Sequence, residues 1–567
     1  MRNLILFIIL AMSLPIGRVN THLITKSTNQ EDKGTKESSA QNGTDINFTS
    51  KNLPAYQPTP FRSYQTNLEG RNWNSTFTSN DNLPIAASTF LGAHFSSFRC
   101  VIAVGKNLSI YGACNADETD TGISLTPGSF DLTHNGKTDI YVFKLNPSAS
   151  VLEYGTFIGG NDDDQVYDIS VDSHGSAYIL GVSNSDNFPT TPNALANSIE
   201  GSSDCFLLKL DSEGMRLNYS TYINSENSGD VCFSLEIDDA GSTYVIGQTY
   251  SFNFPVTAWS FQDYYQGSSD AFILKIDSVG SKIEYGTFLG SRDDDYGVDI
   301  GIDQDGNILV TGMAGGQDFP ISKDAYQKSI GKYPLFLSKL SPDLSKLLCS
   351  TFLGGSEVSY NGSAASMPHS MDLGPDGSVY IVGRTHALDF PTTEGAFDRT
   401  TNGGDYFYGT PFLSRINSTC SELIFSTFVG GRLRDIATSV AVDSRGRVHV
   451  SGETYPVDFP TTPNAIFPNP IGGIDAFLLV MNATGTDLVY STFLGGSNHE
   501  QLMDSIMDND ESVYLIGFTL SPDFPINNNA FKTNHNGWWD TYITKIKLLL
   551  PGNPLLTNFS YIPFIKK

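Results

Sequence analysis

Seven times along this chain a ten-residue phrase returns at an almost constant spacing. Residues 489–498 read VYSTFLGGSN, and LEYGTFIGGN (152–161), IEYGTFLGSR (283–292), LCSTFLGGSE (348–357) and IFSTFVGGRL (424–433) are variants of it. Anchored on its threonine, the phrase falls at Thr89, Thr156, Thr221, Thr287, Thr351, Thr427 and Thr492, at intervals of 67, 65, 66, 64, 76 and 65 residues. So steady a period means one supersecondary unit used again and again, and it limits the fold before any local preference does.

Each unit has the same internal grammar. A short alternating run follows the phrase and ends in a turn, as in DISVDSHG (168–175), SLEIDDAG (234–241) and SVAVDSRG (439–446). A second run follows at once, as in SAYILGVS (176–183) and SVYIVGRT (378–385). The Asp-x-x-Gly between them is hairpin chemistry: Asp satisfies local backbone donors and Gly accepts positive φ. A long connection with Phe-Pro comes next, at Phe188, Phe254, Phe319, Phe390, Phe459 and Phe524, and leads to a third run such as DAFILKID (270–277). A tight turn then returns the chain to the phrase, which serves as a fourth run.

Four strands per unit, with little helix signal, predict an all-β, seven-bladed propeller of four-stranded antiparallel blades over residues 86–548. One such sheet cannot bury both faces, whereas seven set radially bury each face against a neighbour. The first unit opens with the fourth-strand phrase alone, and the last ends on a third-type strand, DTYITKIKL (540–548). Residues 86–92 are therefore expected to cross over and complete the final blade, removing an open edge.

The phrase, the VD-x-x-G hairpin, the tyrosine-containing YIVG run, DFP and DAF-x-x-K together resemble the bacterial and archaeal SBBP family of seven-bladed β-propeller repeats. The resemblance covers roughly residues 86–548; the first unit keeps the order but lacks Asp-x-x-Gly and Phe-Pro. It implies the propeller fold and an exported, surface-associated life, and it supplies no catalytic residues.

Composition narrows the function classes. With 61 acidic against 34 basic residues the formal charge is −27, which repels phosphate backbones and argues against a nucleic-acid partner. The start, MRNLILFIILAMSLPIGRVN, has Arg2 before an apolar stretch from Leu4 to Met12 and predicts a secretory signal over 1–20. No later segment reaches about 18 apolar residues, so no transmembrane span is expected in the mature chain. Residues 21–85 read as a flexible polar segment and 549–567 as a tail. Six cysteines in an exported chain allow disulfides. Cys100 and Cys114 fall opposite one another on the first hairpin. Cys205 and Cys232 lie on neighbouring strand types of adjacent units, and Cys349 and Cys420 show no pairing; free thiols are the alternative throughout.

Catalytic signatures fail on inspection. HEQLM (499–503) has Met503 where a zinc-binding helix needs a second histidine, and Gly136-Lys137-Thr138 lacks the earlier glycine of a phosphate loop. The crossovers carry Asp162, Asp163 and Asp164, and Asp293, Asp294 and Asp295, with Glu226, Asp230, Glu357, Asp435 and Glu500 at nearby positions in other units. Clustered carboxylates could hold Ca²⁺, which takes six to eight oxygens; the alternative is solvated loop acids that cap backbone donors. No other cofactor is expected. Trp259, Tyr264, Tyr265, Tyr406, Tyr408, Trp538 and Trp539 are candidate ligand contacts on the face formed by the crossovers and Phe-Pro connections. The expected function is a secreted or cell-surface scaffold that binds an extracellular protein or glycan through that face. The alternatives are a carbohydrate-active hydrolase or lyase at the channel mouth, favoured by paired carboxylates in a deep axial pocket with aromatics, and a structural envelope or matrix component.

Overall fold

The computed structural model describes residues 84–92, 98–225, 229–331, 333–357, 365–401, 409–431, 433–455 and 458–548. The predicted signal, nearly all of the polar segment and the tail lie outside these residues. Twenty-eight strands form seven four-stranded antiparallel sheets, and no helix occurs among the described residues. In the second blade the order outward from the axis is Asp164–Val171, Ala177–Ser183, Asp204–Leu210 and Leu217–Ile223. The innermost strands, Cys100–Val104, Asp164–Val171, Val231–Ile237, Tyr296–Ile302, Ser366–Leu373, Asp435–Val442 and Glu500–Met507, neighbour one another in a closed circle. Strand Ile85–Phe90 pairs antiparallel with Asp540–Lys547 and is the outermost strand of the last blade, as the unit register predicts.

The repeated phrase is thus the outer strand of each blade, and its residue types have separate duties. All seven phrase threonines are buried, and each hydroxyl accepts a backbone N–H from the long connection of its own blade at 2.8–3.2 Å. The phrase ring joins the Phe-Pro ring and the third-strand ring in a three-membered aromatic cluster. Phe254, for example, lies 4.1 Å from Phe272 and 6.3 Å from Phe288 between centroids. Each such ring contributes roughly 1.5–3 kcal/mol by burial.

The connections depart from expectation. They leave the crossover face but fold down the outer wall, where Thr191 N–H donates to Ser220 O at 2.9 Å and Tyr222 N–H to Ala196 O at 3.1 Å. They cover the outer-strand edge that would otherwise recruit other chains. At the opposite face the remaining motif residues meet. Asp172 accepts from His174 and Ser176 N–H, Gly175 takes φ +84°, and Lys209 pairs with Asp172 at 2.9 Å while lying over the Tyr178 ring.

Three disulfides add covalent ties. Cys100–Cys114 joins the first hairpin, and Cys205–Cys232 joins the second blade to the third. Cys349–Cys420, for which the sequence offered no geometry, joins the outer strand of the fourth blade to a turn of the fifth. The last tie was hidden because Cys420 sits in a turn, where the repeat fixes no strand register to pair it by.

Candidate binding site at the axial mouth

The inner strands from the second blade onward share an irregularity. Their pairing with the second strand shifts by one residue, between Val166 and Asp168 in the second blade and at the equivalent place in the other five. A glycine on the second strand permits this bulge. A Cβ on Gly181, Gly247, Gly312, Gly383, Gly452 or Gly517 would collide with an inner-strand carbonyl, that of Gln165 in the second blade. Bulges re-aim side chains, and here the extra residues are Tyr167, Phe233, Val298, His369, Thr438 and Met503, all half-buried.

These residues build a collar from blade to blade. The Arg99 guanidinium lies 3.9 Å from the Tyr167 ring centroid, Tyr167 meets Phe233 edge-on at 5.8 Å, and Phe233 lies 6.4 Å from Tyr296. His369 completes a bond from Nδ1 to Ala437 O at 2.7 Å. Burial, reinforced by the Arg384 charge, lowers His369 to about 4, so its ring is neutral at ordinary pH.

Beyond the collar the wall turns acidic. Asp168 Oδ2 accepts Leu235 N–H at 2.8 Å, Asp299 Oδ2 accepts Met371 N–H at 2.7 Å, and Asp504 Oδ2 accepts Ile102 N–H at 3.1 Å. Each bond crosses a blade junction, so these carboxyl groups stand in for the backbone pairing that inner strands lack. Although they border the channel, protein surrounds them. Burial, with mutual repulsion, lifts Asp168 to about 8; burial first also lifts Glu236 to about 7, and Asp372 and Asp504 to about 6. The Ser234 hydroxyl lies 3.0 Å from Asp168 Oδ2 and 2.9 Å from Asp299 Oδ1. One hydroxyl has one proton to donate, so one of these two acids must be protonated for both contacts to be hydrogen bonds.

The sequence-based candidates lie elsewhere. Asp162 is at the surface with Lys137 at 2.5 Å, Asp163 accepts from the Thr138 hydroxyl, and Asp164 is fully enclosed. Asp293 is exposed, Asp294 accepts from Ser269, and Asp295 is enclosed against Ser291. Among the described residues no three acidic, histidine or cysteine side chains converge in a way that could hold a metal ion. Trp259, 90% exposed, is on a turn of the outer wall beside Phe261, whose N–H donates to Leu344 O of the next blade. Tyr264 and Trp538 are exposed, Tyr265 folds under its own loop onto Phe288, and Trp539 packs on Phe98 at 5.3 Å. Tyr406, Tyr408 and Glu226 lie outside the described residues. The collar was missed because its members sit inside strands; the available signal was a position just before a recurring Asp or Ser where residue type changes from unit to unit.

Seven closed blades around an axial mouth define a β-propeller. Within it, residues 153–189 and 284–320 match the family model of the SBBP β-propeller repeat, each match running from an outer-strand phrase to the next Phe-Pro. Two of the seven units thus match the SBBP repeat, and the fold is a seven-bladed β-propeller. No curated protein sequence matches it. Similar solved structures include a protein of unknown function from Dyadobacter fermentans (11% identity over 82% of this chain and 98% of that one, TM-score 0.36). They also include a polysaccharide lyase, an ulvan lyase (10%, 77% and 92%, TM-score 0.42), and BamB from Moraxella catarrhalis (9%, 74% and 98%, TM-score 0.30). Likenesses this distant carry no reading of function.

Proposed function

We propose that this protein is an exported propeller that binds an extracellular protein or glycan at the axial mouth of its crossover face. The observation that carries this reading is the collar. A constant backbone bulge places six different side chains, from Tyr167 to Met503, at one level of six consecutive inner strands. A rigid frame with variable side chains at one point is the arrangement recognition needs. Half-buried rings such as Tyr167 and Phe233 suit the C–H faces of sugars or the side chains of a peptide. The three disulfides support an oxidising, extracellular setting, and no helix among the described residues is long and apolar enough to cross a membrane.

A hydrolase reading has one observation in its favour, the Asp168–Ser234–Asp299 arrangement. Against it, Asp168 and Asp299 each accept two backbone N–H groups, so wall-building already accounts for them. The test is a combined glycan and surface-protein array on the full secreted chain, followed by calorimetry with Tyr167→Ala/Phe233→Ala. Binding reduced at least about tenfold, about 1.4 kcal/mol, with unchanged thermal stability is expected. Undiminished binding by that variant would move the site elsewhere, and turnover of an arrayed glycan that Asp168→Asn abolishes would favour the hydrolase.

A further inference from the structure

At four of the seven blade junctions a buried carboxyl group stands on each side: Asp139 and Asp164, Asp204 and Asp230, Asp270 and Asp295, and Asp475 and Glu500; at the last, both carboxyl groups come within 2.5 Å of the point a Cβ on Gly495 would occupy, so they lie side by side. The first of each pair opens the third strand of one blade, or in the case of Asp139 is its second residue; the second opens, or directly precedes, the inner strand of the next. All eight are fully buried. The strand-opening aspartates direct Oδ2 to the backbone N–H four residues earlier, at 2.7 Å for Asn135, 2.6 Å for Glu200, 2.8 Å for Gln266 and 3.0 Å for Ile471. Their Oδ1 atoms have no partner. At three of the junctions that oxygen faces the crossover glycine, and a side chain on Gly495 would collide with both Asp475 Oδ1 and Glu500 Oε2. No lysine or arginine of the described residues is ion-paired to the strand-opening aspartates or to Glu500.

Two facing carboxylates in a dry space cannot both ionise without a strong penalty. A proton held between them turns the repulsion into a charge-assisted hydrogen bond. A hard cation would do the same only with several more oxygens. The fold does not require the acids, because the junction between the fourth and fifth blades has Leu335 and Ser366 at these two positions, with the Ser366 and Thr385 hydroxyls 2.9 Å apart.

We propose that the junction between the sixth and seventh blades is proton-latched: Asp475 and Glu500 keep one shared proton in the closed ring, whose seam is therefore tightest in mildly acidic surroundings and loosens as pH rises. Other titratable groups face this pair: His499, Tyr542 and, beyond it, Glu453. None of them brings a fixed positive charge. Burial raises Glu500 to about 7 and Asp475 to about 6 in the folded ring, against about 4.3 and about 3.9 in an unfolded chain. Between those values the folded ring holds protons that the unfolded chain has released, so stability falls as pH rises through the window.

The test follows thermal unfolding and the infrared C=O stretch of protonated carboxyl groups in the full chain, from about pH 5 to about pH 9, for the natural protein and Glu500→Gln. The Tm and the band are expected to fall together as pH rises. Glu500→Gln, whose amide can donate to Asp475 Oδ1 at every pH, should show a smaller band, an equal Tm at the acidic end and a Tm higher by roughly 1–3 °C at the alkaline end. Asp475→Asn probes the same pair from the other side should the first variant fail to fold. A Tm that does not fall with pH, or a band already absent at the acidic end, overturns the proposal. So does an alkaline Tm restored by added Ca²⁺ or Na⁺, which would assign the pair to a cation.

Discussion

Thr287 shows how much one side chain does in this repeat. Its hydroxyl accepts Gln262 N–H at 3.0 Å and donates to Phe288 O at 2.9 Å, which fixes the wall connection to the outer strand at a point closed to water. Valine has the same shape and β preference but cannot accept. Thr287→Val is therefore expected to lower stability by about 1–3 kcal/mol, the cost of a buried N–H left without a partner, read from the urea midpoint; Thr287→Ser should lose less. Trp259 is the opposite case. Its φ of +69° strains an almost fully exposed side chain at a turn where the other long connections place Asn193, Asp324, Gly395, Asn464 and Asn529. Nothing in the packing requires a ring there.

Among the elements, the inner strand with its bulge connects sequence to site. The glycine of each YIVG-type run reads as a weak point in a strand, yet its bare Cα is what lets the inner strand approach and bulge. Gly247→Ala would drive a methyl into the Val231 carbonyl and the Phe272 ring. A loss of about 3 kcal/mol, together with weaker ligand binding through a displaced Phe233, is expected from parallel unfolding and binding measurements. Gly112→Ala in the unbulged first blade meets only the Phe143 ring and should cost less, because a ring can turn and a carbonyl cannot. The strands, hairpins and strand order were legible in the sequence because each rests on neighbours within one unit. The collar and the buried partner of Asp475 were not, because each depends on what the next blade places opposite, and an Asp that opens DAF looks the same whether its far oxygen meets water or Glu500. The third disulfide was not either, because Cys420 sits in a turn outside the strand register.

For the molecule as a whole, two sets of carboxyl groups pull the pH profile in opposite directions. Asp172 and Asp303 are pushed up by burial, but the hydrogen bonds and charges of Lys209 and Lys339 outweigh that and hold both below the usual range. A depressed folded value adds stability that is present above the unfolded value and is lost as pH falls through the folded one. The junction and channel acids behave in the reverse sense. Calorimetry across pH is therefore expected to give a stability maximum in the mildly acidic range, about pH 4–6, with Lys209→Met flattening the acid limb alone. The ring closure has a further consequence. Lys547 N–H donates to Pro84 O at 2.7 Å, so the earliest strand among the described residues is the one that seals the sheet made last. The toroid cannot shut until synthesis has passed Lys547, and the continuations before Pro84 and after Lys547 leave it from a single sector, so whatever either is moored to holds the propeller by the same side.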